Sequence, residues 1–431
     1  MHGCAETEMS DLQGVRALYV SYMGLREPLV QSQVLPYVRQ LVAGGVTFHL
    51  LTFEKDPAQH WTDASRREWT ERLRAENIDW VSLTYHKRPS LPATLYDIQA
   101  GARFGAGLVR RHGIHLVHAR AHVPAAMGAL IKKWTGAKLL FDIRGFNPEE
   151  YVDAGIWSPN GFKYRLSKKA EAACLAAADG FVVLSARGRD ILFSGVSDTD
   201  RAGRPVEVIP CCVDLQRFAV PAPEARSAIR RELGLEDRRV LVYVGALGGW
   251  YLTDEMAVCL AAAQRRDPCN FSLILTQSPP DVIGTPLRQQ SVPERDFRIQ
   301  PVPSAEMPRW LGAADIALSF VKPCYSKLAS SPTKIAEYLG CGLPILSSAD
   351  IGDVDEVLET DRVGVLLRKF EPADCEVALE AAEALRRDPQ VATRCRESAE
   401  RRFGLEDVGG VRYRRLYSRI LTARSNSDCS G

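Results

Sequence analysis

The stretch SPTKIAEYLGCGLPI, residues 331–345, combines the pattern of a short helix with that of a following strand. Ser331 can cap the first turn of a helix, and Pro332 suits the first helical position. Gly342 predicts that the helix ends after about ten residues, because glycine is favoured just past a helix terminus. Pro344 begins the next apolar run. A helix that passes so directly into a buried strand is typical of an α/β fold.

The same alternation continues from this stretch toward the beginning of the chain. Short β-rich runs predict strands at residues 15–21, 46–53, 80–84, 114–118, 138–143, 180–184 and 206–210. Helical patterns lie between them, most clearly at residues 32–43 and 161–178. Strands separated by helices predict a parallel sheet with right-handed crossovers.

The segment VPAP at residues 220–223 interrupts this pattern and predicts a stiff linker. The alternation then restarts, with strands at residues 239–245, 271–276, 297–302, 316–321, 344–347 and 364–367 and helices at 253–266, 373–387, 391–402 and 406–424. The chain is therefore predicted to hold two doubly wound, Rossmann-like α/β domains, at residues 15–219 and 220–405. We expect residues 1–14 to be disordered and residues 425–431 to be frayed.

Doubly wound sheets bind ligands at the carboxyl ends of their strands. Two such domains are expected to face each other across an interdomain cleft, which favours a nucleotide-bearing or phosphate-bearing ligand. The fold alone does not choose the reaction.

Composition excludes several other classes of protein. The chain has 55 basic and 53 acidic residues, a net charge of +2, so nucleic acid is not expected as a partner. The chain has no apolar run of about 18 residues, so no membrane span is predicted. The first fourteen residues contain no Lys or Arg, so a secretory signal is not expected. We therefore expect a cytoplasmic location. The 11 cysteines lack metal or redox spacing, which predicts reduced thiols and no bound metal.

Lys334 and Glu337 are the charged residues of the predicted helix that begins at Ser331. They are three residues apart and share a face, while Ile335 faces the sheet. A helix that begins at the carboxyl end of a strand directs free amides toward an anion such as a diphosphate. Lys334 would then meet the diphosphate and Glu337 the ribose hydroxyls of a sugar nucleotide. The alternative is a solvated Lys–Glu pair of little energetic weight.

Residues 331–345 resemble the donor-site signature of the retaining glycosyltransferases of family 4 (group 1), which have the GT-B fold. Four further segments resemble the family in the same order along the chain: SQVLPY at residues 32–37, TFE at 52–54, FDIRG at 141–145 and VIPCCVDLQRF at 208–218. The resemblance implies transfer of a sugar from a nucleotide diphosphate with retained configuration and without a bound metal. It also implies that the second domain holds the donor, that the first holds the acceptor, and that residues 406–424 pack back on the first domain.

The resemblance assigns the donor site residue by residue. Gly24, in the loop at residues 24–31, is expected under the diphosphate, and Val302 beside the nucleobase. The remaining expected donor-binding residues are Gly245, Ala246, Ser331, Pro332, Thr333, Lys334, Ile335 and Glu337.

Two departures from the family pattern weaken this assignment. Many relatives carry a second glutamate eight positions before Glu337, where this chain has Ala329. Contacts to the sugar would then come from backbone amides near residues 330–333. The loop GALGGWY at residues 245–251 lacks the usual Arg and Lys, so Lys334 would carry more of the charge, with Lys327 or Lys322 assisting. The glycines of this loop lack the spacing of a dinucleotide dehydrogenase.

Residues His118, Arg120 and His122 are expected to follow the fourth strand and to face the cleft. Arg120 or His118 is a candidate for stabilising the leaving phosphate or orienting the acceptor, and spacing does not choose between them. Arg144 is a second candidate beside His122 on the acceptor side, where it would bind an anionic group or pair with Glu149 or Glu150.

We therefore expect a glycosyltransferase of polysaccharide, glycolipid or small-molecule glycoside synthesis. A nucleotide-sugar epimerase and a non-catalytic sugar-nucleotide-binding partner are the alternatives. All eight histidines lie at or before His122, which disfavours the epimerase. The basic segment at residues 132–134 and the arginines Arg412, Arg414, Arg415 and Arg419 suggest contact with the inner face of a membrane, or merely solvated helix faces.

Overall fold

The computed structural model describes residues 12–194 and 198–423. The predicted tail at residues 425–431 and most of the predicted disordered segment at residues 1–14 lie outside these ranges. Leu12 is buried, and its carbonyl accepts a hydrogen bond from Val15 N at 3.0 Å. Residues 12–14 are therefore part of the fold, which corrects the expected disorder there. Contacts divide the described chain into two units, residues 12–209 with 405–423 and residues 210–404.

The first unit is built on a parallel sheet with the strand order β3-β2-β1-β4-β5-β6-β7. Its strands are β1 (Arg16–Ser21), β2 (Thr47–Glu54), β3 (Ile78–Thr84), β4 (Leu116–Arg120), β5 (Lys138–Asp142), β6 (Gly180–Val183) and β7 (Val206–Val208). Its helices up to that point are α1 (Pro28–Gln33), α2 (Leu35–Ala43), α3 (Pro57–His60), α4 (Asp63–Ala75), α5 (Ser90–His112), α6 (His122–Thr135), α7 (Asn147–Asp153), α8 (Phe162–Ala177) and α9 (Ala186–Phe193). Residues 28–33, predicted within a loop and the following helix, form a helix of their own.

Strand β4 lies two residues later than predicted, and the end of α5 explains the difference. Gly113 adopts φ 58° and Ile114 N donates to Val109 O at 3.1 Å, so Ile114 closes the helix rather than beginning the strand. The pairing of β4 with β5 then continues to Arg120, which lies opposite Asp142. His118 is therefore in the middle of the strand, and Arg120 is its last residue.

The second unit is built on a parallel sheet with the order β10-β9-β8-β11-β12-β13. Its strands are β8 (Arg239–Val244), β9 (Asn270–Leu275), β10 (Phe297–Gln300), β11 (Ile316–Ser319), β12 (Ile345–Ser348) and β13 (Gly364–Leu367). Its helices are α10 (Pro223–Leu233), α11 (Thr253–Arg266), α12 (Asp281–Gln289), α13 (Met307–Gly312), α14 (Thr333–Gly340), α15 (Val354–Thr360), α16 (Pro372–Arg387) and α17 (Val391–Phe403). The prediction of two doubly wound sheets is confirmed.

The second unit begins at Pro210, ten residues before the predicted boundary. Val213 N donates to Phe403 O at 2.9 Å, and Cys211 N donates to the Ser331 hydroxyl at 3.1 Å. These bonds attach residues 210–218 to the second unit. The predicted linker at residues 220–223 leads directly into α10.

After α17 the chain returns to the first unit, as expected for the last helix. A π-helical turn at Leu405–Gly410 precedes α18 (Val411–Thr422), so residues 406–424 are not one regular helix. Tyr413, Leu416, Tyr417 and Ile420 are the buried residues of α18. Arg412 donates to Val208 O at 2.6 Å, which fixes α18 beside β7. Among the described residues, the helices are too short or too polar to cross a membrane.

Candidate functional site

Lys334 lies in the first turn of α14, where it is buried but has no hydrogen-bond partner among the described residues. Its ammonium group lies 4.2 Å from the ring centre of Tyr243 and 4.7 Å from that of Tyr251. A Cβ atom added at Gly245 would lie 3.0 Å from Nζ, and Gly245 has φ 133°, so only glycine fits there without strain. The lysine is therefore held by aromatic rings and glycine backbone, with its donors unused.

Burial shifts the pKa of both charged residues of α14, Lys334 and Glu337. It lowers the pKa of Lys334 to about 7, although Glu337 opposes the shift. It also raises the pKa of Glu337 to about 7, although Arg217 and Lys334 oppose that shift. A buried ammonium without a hydrogen-bonded counterion is not the geometry of a solvated surface pair. An anionic ligand at Lys334 would restore the charge that burial disfavours.

The other predicted residues of this segment have different roles. The Ser331 hydroxyl accepts from Cys211 N, so it holds residue 211 and does not cap α14. Pro332 precedes the helix instead of starting it, and Thr333 is the first helical residue. Ile335 lies in the hydrophobic core, and its amide donates to Pro332 O at 3.1 Å. The side chain of Ile335 is thus part of the core, as expected of a residue that faces the sheet, and its assignment to the donor site stays a prediction.

The glycine loop at residues 245–251 uses several of its amides within the protein. Gly245 N donates to Leu275 O at 3.0 Å, Leu247 N to Ser278 Oγ at 3.0 Å, and Gly248 N to Thr253 Oγ1 at 2.8 Å. These three amides are therefore not available to a phosphate.

Lys327 lies beside the far end of the same loop. It is buried, with its ammonium group 4.3 Å from the ring centre of Trp250, whereas Lys322 is exposed. Of the two lysines expected to assist Lys334, Lys327 is the one whose side chain contacts the loop. Lys322 meets it only through its backbone, with its amide donating to Trp250 O at 2.8 Å.

A cavity of about 350 Å³ opens beside this loop at the carboxyl ends of β8 and β9. Gly245, Ala246 and Val302 line it, so three predicted donor residues are brought together. The sequence did not indicate the other lining residues, which are Val244, Leu275, Thr276, Gln277, Ser278 and Met307. The polar run at residues 276–278 directly after a buried strand was the available clue. The cavity has one apolar side and one side rich in hydroxyl and amide groups.

In the first unit, Asp142 is the centre of a buried polar cluster at the ends of β4 and β5. It is fully buried, and one carboxylate oxygen accepts from Tyr413 Oη at 3.3 Å. The same oxygen lies 3.5 Å from His118 Nε2 and 3.6 Å from Arg120 Nη1. Arg144 Nη1 donates to the other oxygen at 3.4 Å. Three of the predicted first-domain residues thus share one carboxylate.

The negative charge of Asp142 is compensated within the cluster. Burial alone would raise the pKa of Asp142, but Arg144, His118 and Arg120 together hold it well below its usual range. Burial lowers the pKa of His118, so the ring is neutral at physiological pH. Its Nδ1 is hydrogen-bonded to Tyr417 Oη at 2.9 Å. His118 therefore joins the sheet to α18, which corrects the expectation that it follows the strand and faces an open edge.

Arg120 is the residue of this cluster with unused hydrogen-bonding capacity. It is 8% exposed, and its Nη1 lacks a hydrogen-bond partner within the described part of the chain. The next residue, Ala121, has φ 68°, a backbone conformation that costs free energy for any residue with a side chain. Strain of this kind is concentrated at functional sites. Here the strained residue forms the turn between Arg120 and α6.

His122 belongs to a separate network. Its Nε2 lies 3.0 Å from Glu171, which also binds Lys168. Lys168 in turn lies 2.9 Å from Glu149, so Glu149 is paired with Lys168, while Arg144 is paired with Asp142. Burial opposes ionisation of Glu171, but the bonds from His122 and Lys168 outweigh it and lower its pKa.

Gly24 is in close contact with Glu54. A Cβ atom at Gly24 would lie 2.6 Å from Glu54 Oε2, and Leu25 N donates to Oε1 of the same carboxylate at 2.8 Å. Trp61 Nε1 and Thr52 Oγ1 also donate to it, at 3.0 and 2.6 Å. The need for glycine at this position is therefore explained by Glu54. Within residues 12–194 and 198–423, no group of three or more His, Cys, Asp or Glu side chains is arranged to hold a metal ion.

Comparison with known proteins adds to this geometry. Residues 30–212 match the family described as the glycosyl transferase 4-like domain. Over 162 residues, 36% of this chain, the sequence is 29% identical to a GDP-mannose-dependent α-(1-6)-phosphatidylinositol monomannoside mannosyltransferase of Mycolicibacterium smegmatis. The match spans 41% of that relative.

Solved structures of similar fold cover almost the whole chain. A glycosyltransferase from Rickettsia africae has a TM-score of 0.71 at 15% identity, covering 95% of this chain and 99% of that one. The Anabaena protein HepE in complex with UDP-glucose has a TM-score of 0.64 at 15% identity, covering 94% and 99%. At this identity the likeness shows the fold, which is GT-B. Residues 30–212 therefore form a glycosyl transferase 4-like domain, and the chain as a whole has the two-domain fold of the GT-B glycosyltransferases.

Proposed function

We propose that this protein transfers a sugar from a nucleotide-diphosphate sugar to an acceptor hydroxyl, with retention of configuration. The observation that carries the proposal is Lys334, a buried ammonium whose donors are unused, in the first turn of a helix beside a cavity. Such a position is suited to a diphosphate, because the ligand supplies both the hydrogen bonds and the charge that the protein leaves out. The GDP-mannose dependence of the mannosyltransferase relative and the UDP-glucose bound to HepE support a donor of this class.

In the proposed complex, the nucleobase occupies the cavity lined by Gly245, Ala246 and Val302. Its edge would meet the polar side formed by residues 276–278, and Glu337 would accept the ribose hydroxyls. Lys334 would bind the diphosphate, with Thr333 at the start of α14 contributing its amide. The sugar would meet backbone near residues 330–333, because Ala329 provides no carboxylate.

During transfer the bond between the anomeric carbon and the phosphate oxygen breaks, and the acceptor oxygen bonds to the same face. The acceptor proton passes to the departing diphosphate. Lys334 stabilises the charge that develops on that leaving group. Arg120 is proposed as the first-domain cation that stabilises the leaving phosphate or orients the acceptor, with Arg144 beside Asp142. The expected product is a polysaccharide, a glycolipid or a glycosylated small molecule.

The proposal is tested by a thermal-shift panel of nucleoside diphosphates and their sugars, with and without Glu337→Gln. A ligand present at 100 times its dissociation constant should stabilise the protein by about 2.7 kcal/mol. Glu337→Gln should weaken nucleoside diphosphates by about tenfold while leaving inorganic pyrophosphate unchanged, because only the nucleoside has ribose hydroxyls. If the variant bound nucleoside diphosphates as tightly as wild type does, the ribose role of Glu337 would be contradicted.

A further inference from the structure

The segment from α7 into α8 exposes large apolar side chains on the first unit. Ile156 is 66% exposed and Phe162 is 69% exposed, and Tyr151 and Leu166 are exposed to 39% and 37%. Tyr151 stacks on Trp157, with ring centres 4.2 Å apart and an interplanar angle of 13°. We call this the α7–α8 surface, comprising Tyr151, Ile156, Phe162 and Leu166 with the basic residues of α8. So much apolar area close together in the chain needs a partner, whereas isolated exposed apolar residues do not.

The charges of α8 are distributed unequally over its two faces. Its one acidic residue, Glu171, is buried on the inner face with Cys174. The outer face carries Lys163, Arg165 and Lys169 together with Phe162 and Leu166, and the remaining exposed positions of the helix are alanines. The outer face of α8 is therefore basic and apolar, without a carboxylate.

These basic side chains are not neutralised from elsewhere in the protein. Lys168 is bound by Glu149 and Glu171, but Lys163, Arg165 and Lys169 make no side-chain hydrogen bond or ion pair within the described residues. The chain as a whole has a net charge of only +2, so this concentration of positive charge is local. It is complementary to a surface that carries many negative groups.

Several cations of the surfaces that the sequence suggested for membrane contact have partners within the first unit. Lys132 binds Asp179 at 2.6 Å, and Arg412 donates to Val208 O. Arg415 is paired with Glu207, and Arg419 lies 3.4 Å from Asp198. These cations hold helices against the sheet. Contact at residues 132–134 and along α18 stays a prediction, and the α7–α8 surface is a separate candidate.

We propose that the α7–α8 surface docks this protein on an anionic lipid bilayer. Helices with basic residues beside Phe and Leu on an exposed face lie in the interface of such bilayers, with the apolar side chains at the boundary of headgroups and acyl chains. Ile156 and Phe162 enter that boundary, and Lys163, Arg165 and Lys169 meet the lipid phosphates. The inference does not depend on the proposed transfer reaction.

The test is co-sedimentation of the full chain with phosphatidylcholine vesicles, with and without phosphatidylglycerol. Wild type should bind the vesicles that contain phosphatidylglycerol, and binding should weaken as salt is raised. The double variant Ile156→Ser/Phe162→Ser should lower the partition coefficient by about tenfold or more, because the apolar insertion is lost. Lys163→Glu/Lys169→Glu should abolish the preference for phosphatidylglycerol.

The matched control is Val377→Ser. Val377 is 70% exposed on α16, but it is isolated among Glu376 and Glu380, so its substitution should leave vesicle binding unchanged. All the substituted side chains are exposed, so the variants should keep the circular dichroism spectrum and melting temperature of wild type. The proposal is overturned if wild type does not sediment with anionic vesicles, which would leave a protein as the partner of this surface. It is overturned equally if the α7–α8 variants bind like Val377→Ser.

Discussion

Lys334 in the second unit and Arg120 with Arg144 in the first are buried cations in contrasting surroundings. Lys334 has aromatic rings and a glycine as neighbours and no hydrogen-bond partner in the described structure. The two arginines share Asp142 with His118 and with a tyrosine of α18. The second unit thus leaves a charge for a ligand to complete, while in the first unit both arginines have a carboxylate partner that is itself hydrogen-bonded to the last helix. Burial alone therefore does not mark a ligand site. A buried charge without a hydrogen-bond partner in the described structure does.

The strongest test of this comparison is Lys334→Met. Turnover of the donor should fall by about 100-fold or more, because the main side-chain cation assigned to the leaving diphosphate in the second unit is removed. The fold should be as stable as wild type or more so, because a buried amine without a partner is replaced by an apolar side chain. Steady-state kinetics and urea unfolding measure the two effects.

Lys322→Met is the matched control for that variant, because Lys322 is exposed on the same unit. It should change neither turnover nor stability. Turnover of Lys334→Met within a factor of two of wild type would refute the assigned role.

The opposite pattern is expected for His118→Ala in the first unit. Loss of the bond to Tyr417 and of a fully buried ring should lower the free energy of unfolding of this unit by about 2–4 kcal/mol. Turnover measured well below the unfolding temperature should fall much less than for Lys334→Met. The exposed His60 provides the control, His60→Ala, which should unfold like wild type. If His118→Ala lost activity without losing stability, a direct role of the ring in the reaction would be supported instead.

The charge state of Lys334 also predicts a pH dependence of ligand affinity. With a pKa of about 7, Lys334 is charged below that pH and neutral above it in the free protein. A diphosphate favours the charged form, so binding above pH 7 must take up a proton. Affinity should therefore fall as pH rises, by up to about tenfold per pH unit. Calorimetry in buffers of different ionisation enthalpy detects the proton.

Glu337 titrates in the same range, so the measurement is repeated with Glu337→Gln. The slope should remain in that variant and disappear in Lys334→Met. A pH-independent affinity in the Glu337→Gln background would show that Lys334 does not change protonation on binding.

The smallest effect is expected for Ser331→Ala. This substitution removes the acceptor of Cys211 N, so stability of the second unit should fall by about 1 kcal/mol while turnover changes little. Thr333→Ala, two residues further on in the same segment, is the comparison for an effect on donor affinity. A loss of donor affinity with Ser331→Ala alone would return the hydroxyl to the donor site.

Much of the fold could be predicted because its pattern is local. Helix α11 and strand β13 have the predicted bounds, since apolar periodicity and flanking residues are unambiguous there. Strand β4 was misplaced because the bond from Ile114 N to Val109 O depends on how α5 ends. That error of two residues was enough to move His118 from an expected open edge into the core.

The site could be predicted only where one segment carries it. Lys334 and Glu337 were indicated by their spacing on a single helix. The partner of Ser331 is Cys211, 120 residues earlier in the chain, and no local pattern gives that contact. The polar side of the cavity was missed for a related reason. In the sequence, residues 276–278 look like any polar turn after a strand. They line the cavity only because β8 and the segment after β10 fold beside them.

The central claim is most directly tested by nuclear magnetic resonance of a donor incubation. The sugar nucleotide that gives the largest thermal shift is incubated with wild type and with Lys334→Met, with and without candidate acceptors. The account predicts that wild type releases the nucleoside diphosphate and forms a product with the anomeric configuration of the donor, and that Lys334→Met does not. Conversion of the donor to an epimer without release of the nucleoside diphosphate would contradict it, as would a bound donor that no acceptor consumes.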